Sequence, residues 1–224
     1  GVFGGGTDGG SNVYGSDNTL LGYKAGYAIT TGQNNTILGS GAGDALTTGS
    51  SNVLFGMSAG GALTDNASNI AIGVYAMNAA NAGEHYNIAI GYQALSTETS
   101  GADYCIAIGH NALANQNANV TNTAIGGLAG DAITDGHSNT FVGYAAGTGN
   151  QTGDGNTALG HAAYLNGTGS NNTAIGYGAG DAALTGADNV IVGSQAGSAL
   201  TDGPGNVLIG KSAGAAMTTG DENV

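Results

Sequence analysis

Few residues in this chain have types that do chemistry, and their spacing decides most cases against it. The four histidines are His85, His110, His137 and His161, and none stands in a close-spaced pair of the kind that holds zinc. His110 and His161 occupy the same place in a repeated segment, but three repeats apart they would be ~14 Å distant in a stack of strands. No Ser-His-Asp arrangement is present, and no glycine loop leads into a helix to cradle phosphate. The many Gly-x-Gly matches follow from a composition of 45 glycines in 224 residues. The expectation is therefore a chain that is not an enzyme, with no catalytic, cofactor-binding or metal-binding residues.

Three weaker signals point to binding. Asp44, Asp131 and Asp181 each follow Gly in Gly-Ala-Gly-Asp or Leu-Ala-Gly-Asp, a faint likeness to the nonapeptide of calcium-binding β-rolls, where the Asp falls one residue later. Calcium is kept as a possible structural ion, with solvated turn acids as the favoured reading. Tyr23, Tyr92, His110, Tyr144, His161 and Tyr177 all follow a repeated Gly, and an aromatic strip of this kind either stacks on sugars or packs against another chain. Packing is the favoured reading. Sequons occur at Asn34, Asn66, Asn119, Asn150, Asn166 and Asn171, several of them expected by chance in a chain so rich in Asn and Thr.

The bulk composition narrows the partners. Two lysines, no arginine and 15 acids give a net charge of -13, which repels phosphate backbones and anionic lipid. Nucleic acid and membrane are excluded as partners, and an acidic polysaccharide substrate lacks the cations that would neutralise it. Cys105 is the single cysteine, so no internal disulfide forms; it reads as a buried structural thiol.

What positions all of these residues is a five-residue kernel: Asn, then Thr/Val/Ile, an apolar residue, Ile/Leu/Val/Phe, and Gly. Kernels begin at Asn18, Asn35, Asn52, Asn69, Asn87, Cys105, Asn122, Asn139, Asn156, Asn172, Asn189 and Asn206, at intervals of 16 to 18 residues. A fixed period below twenty with one short β-branched run per period marks a stacked-coil architecture. The expected fold is all-β, a parallel β-solenoid (β-roll or β-helix) with one ~17-residue coil per repeat, about 13 coils and a length of ~60 Å. Residues 1–224 read as a single array cut mid-repeat at both ends, from Gly1-Val2-Phe3-Gly4 to Asn223-Val224.

Within the coil, the alternation of strand residues predicts that the fourth kernel position faces inward and the third outward. The third is never polar, being Leu20, Ile37, Leu54, Phe141, Ile191, Leu208 or Ala, so the strand is expected to be covered on both faces. The kernel Gly is expected to turn a corner through positive φ or close backbone approach, and the Ala three residues later to occupy a tight inward place. The Asn column is expected to stack as a hydrogen-bonded ladder.

Position nine of the coil carries Gly in eight coils, mostly with a large apolar residue three places on (Ile29, Leu46, Leu63, Ile133, Leu200, Met217), or with Leu184 one place later again. The other four coils carry Met77, Leu95, Leu113 and Tyr164 at position nine, with Ala80, Glu98, Gln116 and Gly167 at position twelve. This implies one core slot that either position fills. The coil from Asn139 breaks the rule, with Gly147 followed by Thr148-Gly149-Asn150-Gln151, and a weak point is expected there.

The kernels Asn122-Thr123-Ala124-Ile125-Gly126 and Asn87-Ile88-Ala89-Ile90-Gly91-Tyr92-Gln93-Ala94-Leu95 resemble the repeats of two groups. One is the tail-fibre-like proteins of phages and environmental bacteria; the other is the YadA-like head of trimeric autotransporter adhesins, whose repeat is shorter. The resemblance covers nearly the whole chain. It implies a shaft or adhesive head on a virion or cell surface, commonly trimeric. The expectation is a structural repeat protein, a segment of an extracellular fibre, filament or surface adhesin. It would associate as a homo-oligomer or filament through the apolar outer face of the kernel strands and the coil ends. The alternative is a calcium- or glycan-binding β-roll module.

Overall fold

The structure, a computed structural model, describes residues 15–79, 83–97, 101–117 and 120–224. The kernel remnant at Gly1–Gly4, the position-twelve residues Ala80 and Glu98, and the sequon at Asn119 lie outside them. The chain forms two compact units, Gly1–Asn119 and Val120–Val224, and each is a parallel β-solenoid with one kernel strand per coil.

In the first unit the strands are β1 (Thr19–Leu21), β2 (Thr36–Leu38), β3 (Val53–Phe55), β4 (Ile70–Ile72), β5 (Ile88–Ile90) and β6 (Ile106–Ile108). They pair in sequence order, parallel and in kernel register, so that Leu21, Leu38, Phe55, Ile72, Ile90 and Ile108 form one column. In the second unit β7 (Thr123–Ile125), β8 (Thr140–Val142), β9 (Thr157–Leu159), β10 (Thr173–Ile175), β11 (Val190–Val192) and β12 (Val207–Ile209) do the same. No element is a helix among the described residues.

Three residues are too few for an independent strand, and the stack supplies what each coil lacks. Backbone N–H groups outside the strands also donate to neighbouring coils, as in Gly26 to the Ala42 carbonyl (2.9 Å), Thr47 to Thr64 (2.7 Å) and Gly41 to Tyr23 (2.8 Å). Turns that would otherwise need water for their polar groups satisfy them on the next coil. Before every kernel but the one at Asn122 the residue sits in the left-handed region, at Asp17 (φ 60°), Asn34 (58°), Ser51 (62°) and Ser138 (60°) among others, and most coils use Asn, Asp or Ser there, which tolerate it best.

The Asn ladder forms as the sequence implies. Asn139 donates its Nδ2 to the Gly153 carbonyl (2.8 Å), and its Oδ1 accepts the backbone N–H of Asn156 on the next coil (2.8 Å). The same pair of bonds recurs from Asn122 (to Gly136 and Asn139) and Asn156 (to Gly169 and Asn172). All are buried, so losing an amide strands groups that water cannot reach. Asn139→Ala is expected to destabilise the second unit by ~2–4 kcal/mol, read as a fall in the urea unfolding midpoint.

The facing of the kernel strand is opposite to the sequence expectation. The third position is buried in every strand and the second and fourth point outward. Ile37, Leu54, Phe141 and Ile191 are fully inside. The reason is volume. The third position shares the coil interior with positions eight, nine and twelve, so its size varies with theirs, while the fourth is always large because nothing inside competes with it.

The core therefore has a three-way trade. Coils with a large third residue have Gly at nine: a Cβ at Gly43 would lie 2.8 Å from Leu54 Cδ1, and at Gly60 2.8 Å from Leu54 Cδ2. Coils with Ala71, Ala89, Ala107 or Ala158 at three fill the space with Met77, Leu95, Leu113 or Tyr164, all essentially unexposed. These four adopt φ of 49–54°, a strained conformation for bulky residues that core burial of ~1.5–3 kcal/mol per side chain outweighs. Tyr164 lies over Gly167, where a Cβ would stand 2.2 Å from its ring. The expected weak point at Asn139 is absent for the same reason. Phe141 fills the slot, its ring 2.4 Å from where a Gly147 Cβ would be, and buried Asn150 closes on Gly153 through both its side-chain atoms.

Candidate functional site

The surface with the clearest character is the outward face of each strand ladder. In the first unit it carries Thr19, Thr36, Val53, Ile70, Ile88 and Ile106 in one column and Leu21, Leu38, Phe55, Ile72, Ile90 and Ile108 in the other. The second unit repeats this with Thr123 to Val207 and Ile125 to Ile209. No outward strand residue is charged, although the chain carries a net charge of -13. Leu21 and Phe55 are 51% exposed and Ile209 68%. The fourth-position column is a continuous row of aliphatic and aromatic side chains from coil to coil within each unit.

Beside it run the aromatic side chains after the kernel Gly. Tyr92 stacks on His110 (centroids 5.5 Å, 11°), and His161 lies between Tyr144 and Tyr177 at 5.3 and 5.2 Å. The rings stack on one another from coil to coil, so His161 has a ring against both faces, while Tyr144 and Tyr177 end the stack with one face each against it and are 55% and 59% exposed. Sugar stacking requires the faces. Tyr23 instead sits under the Lys24 ammonium, 5.6 Å from its ring centroid.

The remaining histidines serve the coil turns. His85 Nδ1 accepts the Ala67 N–H (3.0 Å), and His137 Nε2 lies 3.2 Å from Asp154 Oδ2 at the surface. Asp44, Asp131 and Asp181 do not gather: among the described residues no three His, Cys, Asp or Glu side chains stand where they could hold one metal ion. Partial burial raises the carboxyls of Asp131 and Asp181 above their ordinary value, against the lowering effect of backbone N–H bonds. Burial likewise pushes the Tyr164 phenol up; it donates to the Gly169 carbonyl (2.7 Å) and accepts from Asn172 Nδ2 (3.1 Å).

Cys105 is buried in the Asn column. Its N–H continues the ladder to Asn87 Oδ1 (2.8 Å), and its sulfur accepts from Gln116 Nε2 (3.0 Å). Sequence reading missed that Gln116, a polar residue at position twelve, belongs with the Cys: the one coil lacking the kernel amide carries an amide there. It also missed Glu84, fully buried and bonded to Asn66 Nδ2. The signal was Asn66 itself, standing where other coils have Gly32, Gly49 or Gly136. Among the sequons, Asn66 and Asn150 are buried, while Asn34, Asn166 and Asn171 are exposed.

No helix of the described residues is long and apolar enough to cross a membrane. No family model matches the chain, no curated protein matches it, and no solved structure does.

Proposed function

We propose that this chain is a non-enzymatic structural repeat protein, a segment of an extracellular fibre, filament or surface adhesin, assembled from copies joined through the outward face of the strand ladder. The observation that carries the reading is that face: two columns of Thr, Val, Ile, Leu and Phe per unit, without one charge. Each copy repels others in general because of its acidic surface, and this strip is where that repulsion is weakest and apolar area greatest. The resemblance to tail-fibre-like and YadA-head-like repeats supports a place outside the cell or on a virion.

A calcium- or glycan-binding module has less support, since the three turn acids stand apart and the aromatic rings spend at least one face each on stacking against one another. The test is a charge in the fourth column. Ile90→Glu and Ile175→Glu alter outward side chains, so the circular dichroism spectrum should be unchanged while self-association weakens at least ~10-fold, about 1.4 kcal/mol, by sedimentation equilibrium. Unchanged association would reject the face.

A further inference from the structure

We propose that Tyr86 and Tyr104 are a site of oxidative cross-linking, which an extracellular peroxidase converts to a dityrosine staple between two successive coils. The inference rests on the extracellular placement proposed above but not on assembly of copies, and the peroxidase treatment below tests the pair directly.

The two tyrosines occupy the same place on neighbouring coils, immediately before the kernel residues Asn87 and Cys105. Their rings are stacked with centroids 5.1 Å apart and planes 7° from parallel. Both are open to solvent, at 54% and 63% exposure. The backbone fixes the pairing: each N–H donates to the preceding coil, Tyr86 to the Ala67 carbonyl and Tyr104 to His85, both at 3.3 Å.

Their residue type is itself unusual there. The position is left-handed, φ 62° at Tyr86 and 61° at Tyr104, and other coils place Asp17, Asn34, Ser51, Ser68 and Ser138 in it. A bulky side chain in that conformation is an outlier, and two in succession align their phenols.

No other described tyrosines are so placed. Tyr75 and Tyr92 meet edge-on at 6.2 Å and 80°. His161 separates Tyr144 from Tyr177, and Tyr164 is buried.

In the reaction each phenol loses one electron and one proton to become a phenoxyl radical. The radicals join through a carbon ortho to each oxygen, forming one C–C bond, and the two ortho hydrogens pass to the oxygens as the rings regain aromaticity. The two electrons and two protons released reduce one hydrogen peroxide, activated by a haem peroxidase, to two waters. Exposed rings already at coil spacing need only side-chain rotation, so the backbone register is kept.

The experiment treats the full chain with horseradish peroxidase and hydrogen peroxide, then maps linked peptides by mass spectrometry. The expected product joins Tyr86 to Tyr104 and is lighter by two hydrogens. In an equal mixture of light and isotopically heavy protein, this link should occur only within one chain. Tyr104→Phe and Tyr86→Phe keep the ring stack and should each abolish the product, while Tyr92→Phe should leave it. Absence of the link in the unaltered protein, predominance of mixed light–heavy links at this pair, or its persistence in a peptide from Tyr104→Phe would overturn the proposal.

Discussion

Phe141→Ala and Gly147→Leu should each severely destabilise the second unit, and together they should restore most of what either loses. The first empties the slot that Phe141 fills from within the coil, a loss of ~3–5 kcal/mol for a buried aromatic. The second drives a side chain into a ring that already stands 2.4 Å from where its Cβ must go. Combined, they reproduce the arrangement of Ala89 with Leu95, both buried at 0% exposure, a coil that folds with φ 50° at the leucine. A double-mutant cycle on urea midpoints should therefore show a coupling of several kcal/mol, at the upper end for residues in contact. Additive losses would mean that positions three and nine do not share one space.

Gly91→Ala carries the second large effect. Its φ is 137°, and a Cβ there would stand 2.4 Å from the Gly109 carbonyl oxygen. The conformation is one that L side chains rarely adopt, and the clash is with backbone, which moves only if the coils separate. Strain and lost coil contact together should cost upwards of ~3 kcal/mol. Gly41→Ala is the matched control. Gly41 also has positive φ, 66°, but its Cβ would meet only Ser58 Oγ at 3.5 Å, and the equivalent places in other coils hold Lys24, Ser58 and Gln93 at φ of 52–55°. Its cost should stay near ~1 kcal/mol. Thermal or urea midpoints of the two variants distinguish close approach from glycine's general freedom.

Much of this fold was legible because a repeat states its constraints many times. The kernel strand, the Asn ladder, the Gly corner and the buried Ala column follow from residues that hold one place through the coils. The facing of the strand was not legible from alternation alone, since both candidate inward positions are apolar. The decisive signal was variance: Leu20, Ala71 and Phe141 change size in step with Gly26, Met77 and Gly147, and the two coils with Ala124 over Gly130 and Ala174 over Gly180 carry their bulk at buried Ile133 and Leu184 instead. Taking the third position as outward hid Phe141 from the core, and that single inversion produced the false weak point at Asn139. The apolar third column, from which a second layer over the strand was expected, lies inside the coil; the outward face is made instead of a second column that is half threonine and a fourth that is aliphatic or aromatic throughout.

The candidate surfaces were legible only as columns. Sequence spacing aligned Tyr92 with His110 and Tyr144 with His161, but ring orientation depends on side-chain packing between coils, which sets the rings face to face. Gln116 and Glu84 were unreadable because each replaces a missing or altered neighbour, Cys105 and Asn66, and such compensation shows only when both partners are seen in place.

The central claim is that the uncharged outward face joins copies of this chain, and the mass of the native particle tests it most directly. Native mass spectrometry at micromolar concentration should give a mass of two or more chains of 21.4 kDa, falling to the single-chain mass with Ile90→Glu and Ile175→Glu combined. A folded, stable particle of 21.4 kDa from the unaltered protein across that range would contradict it.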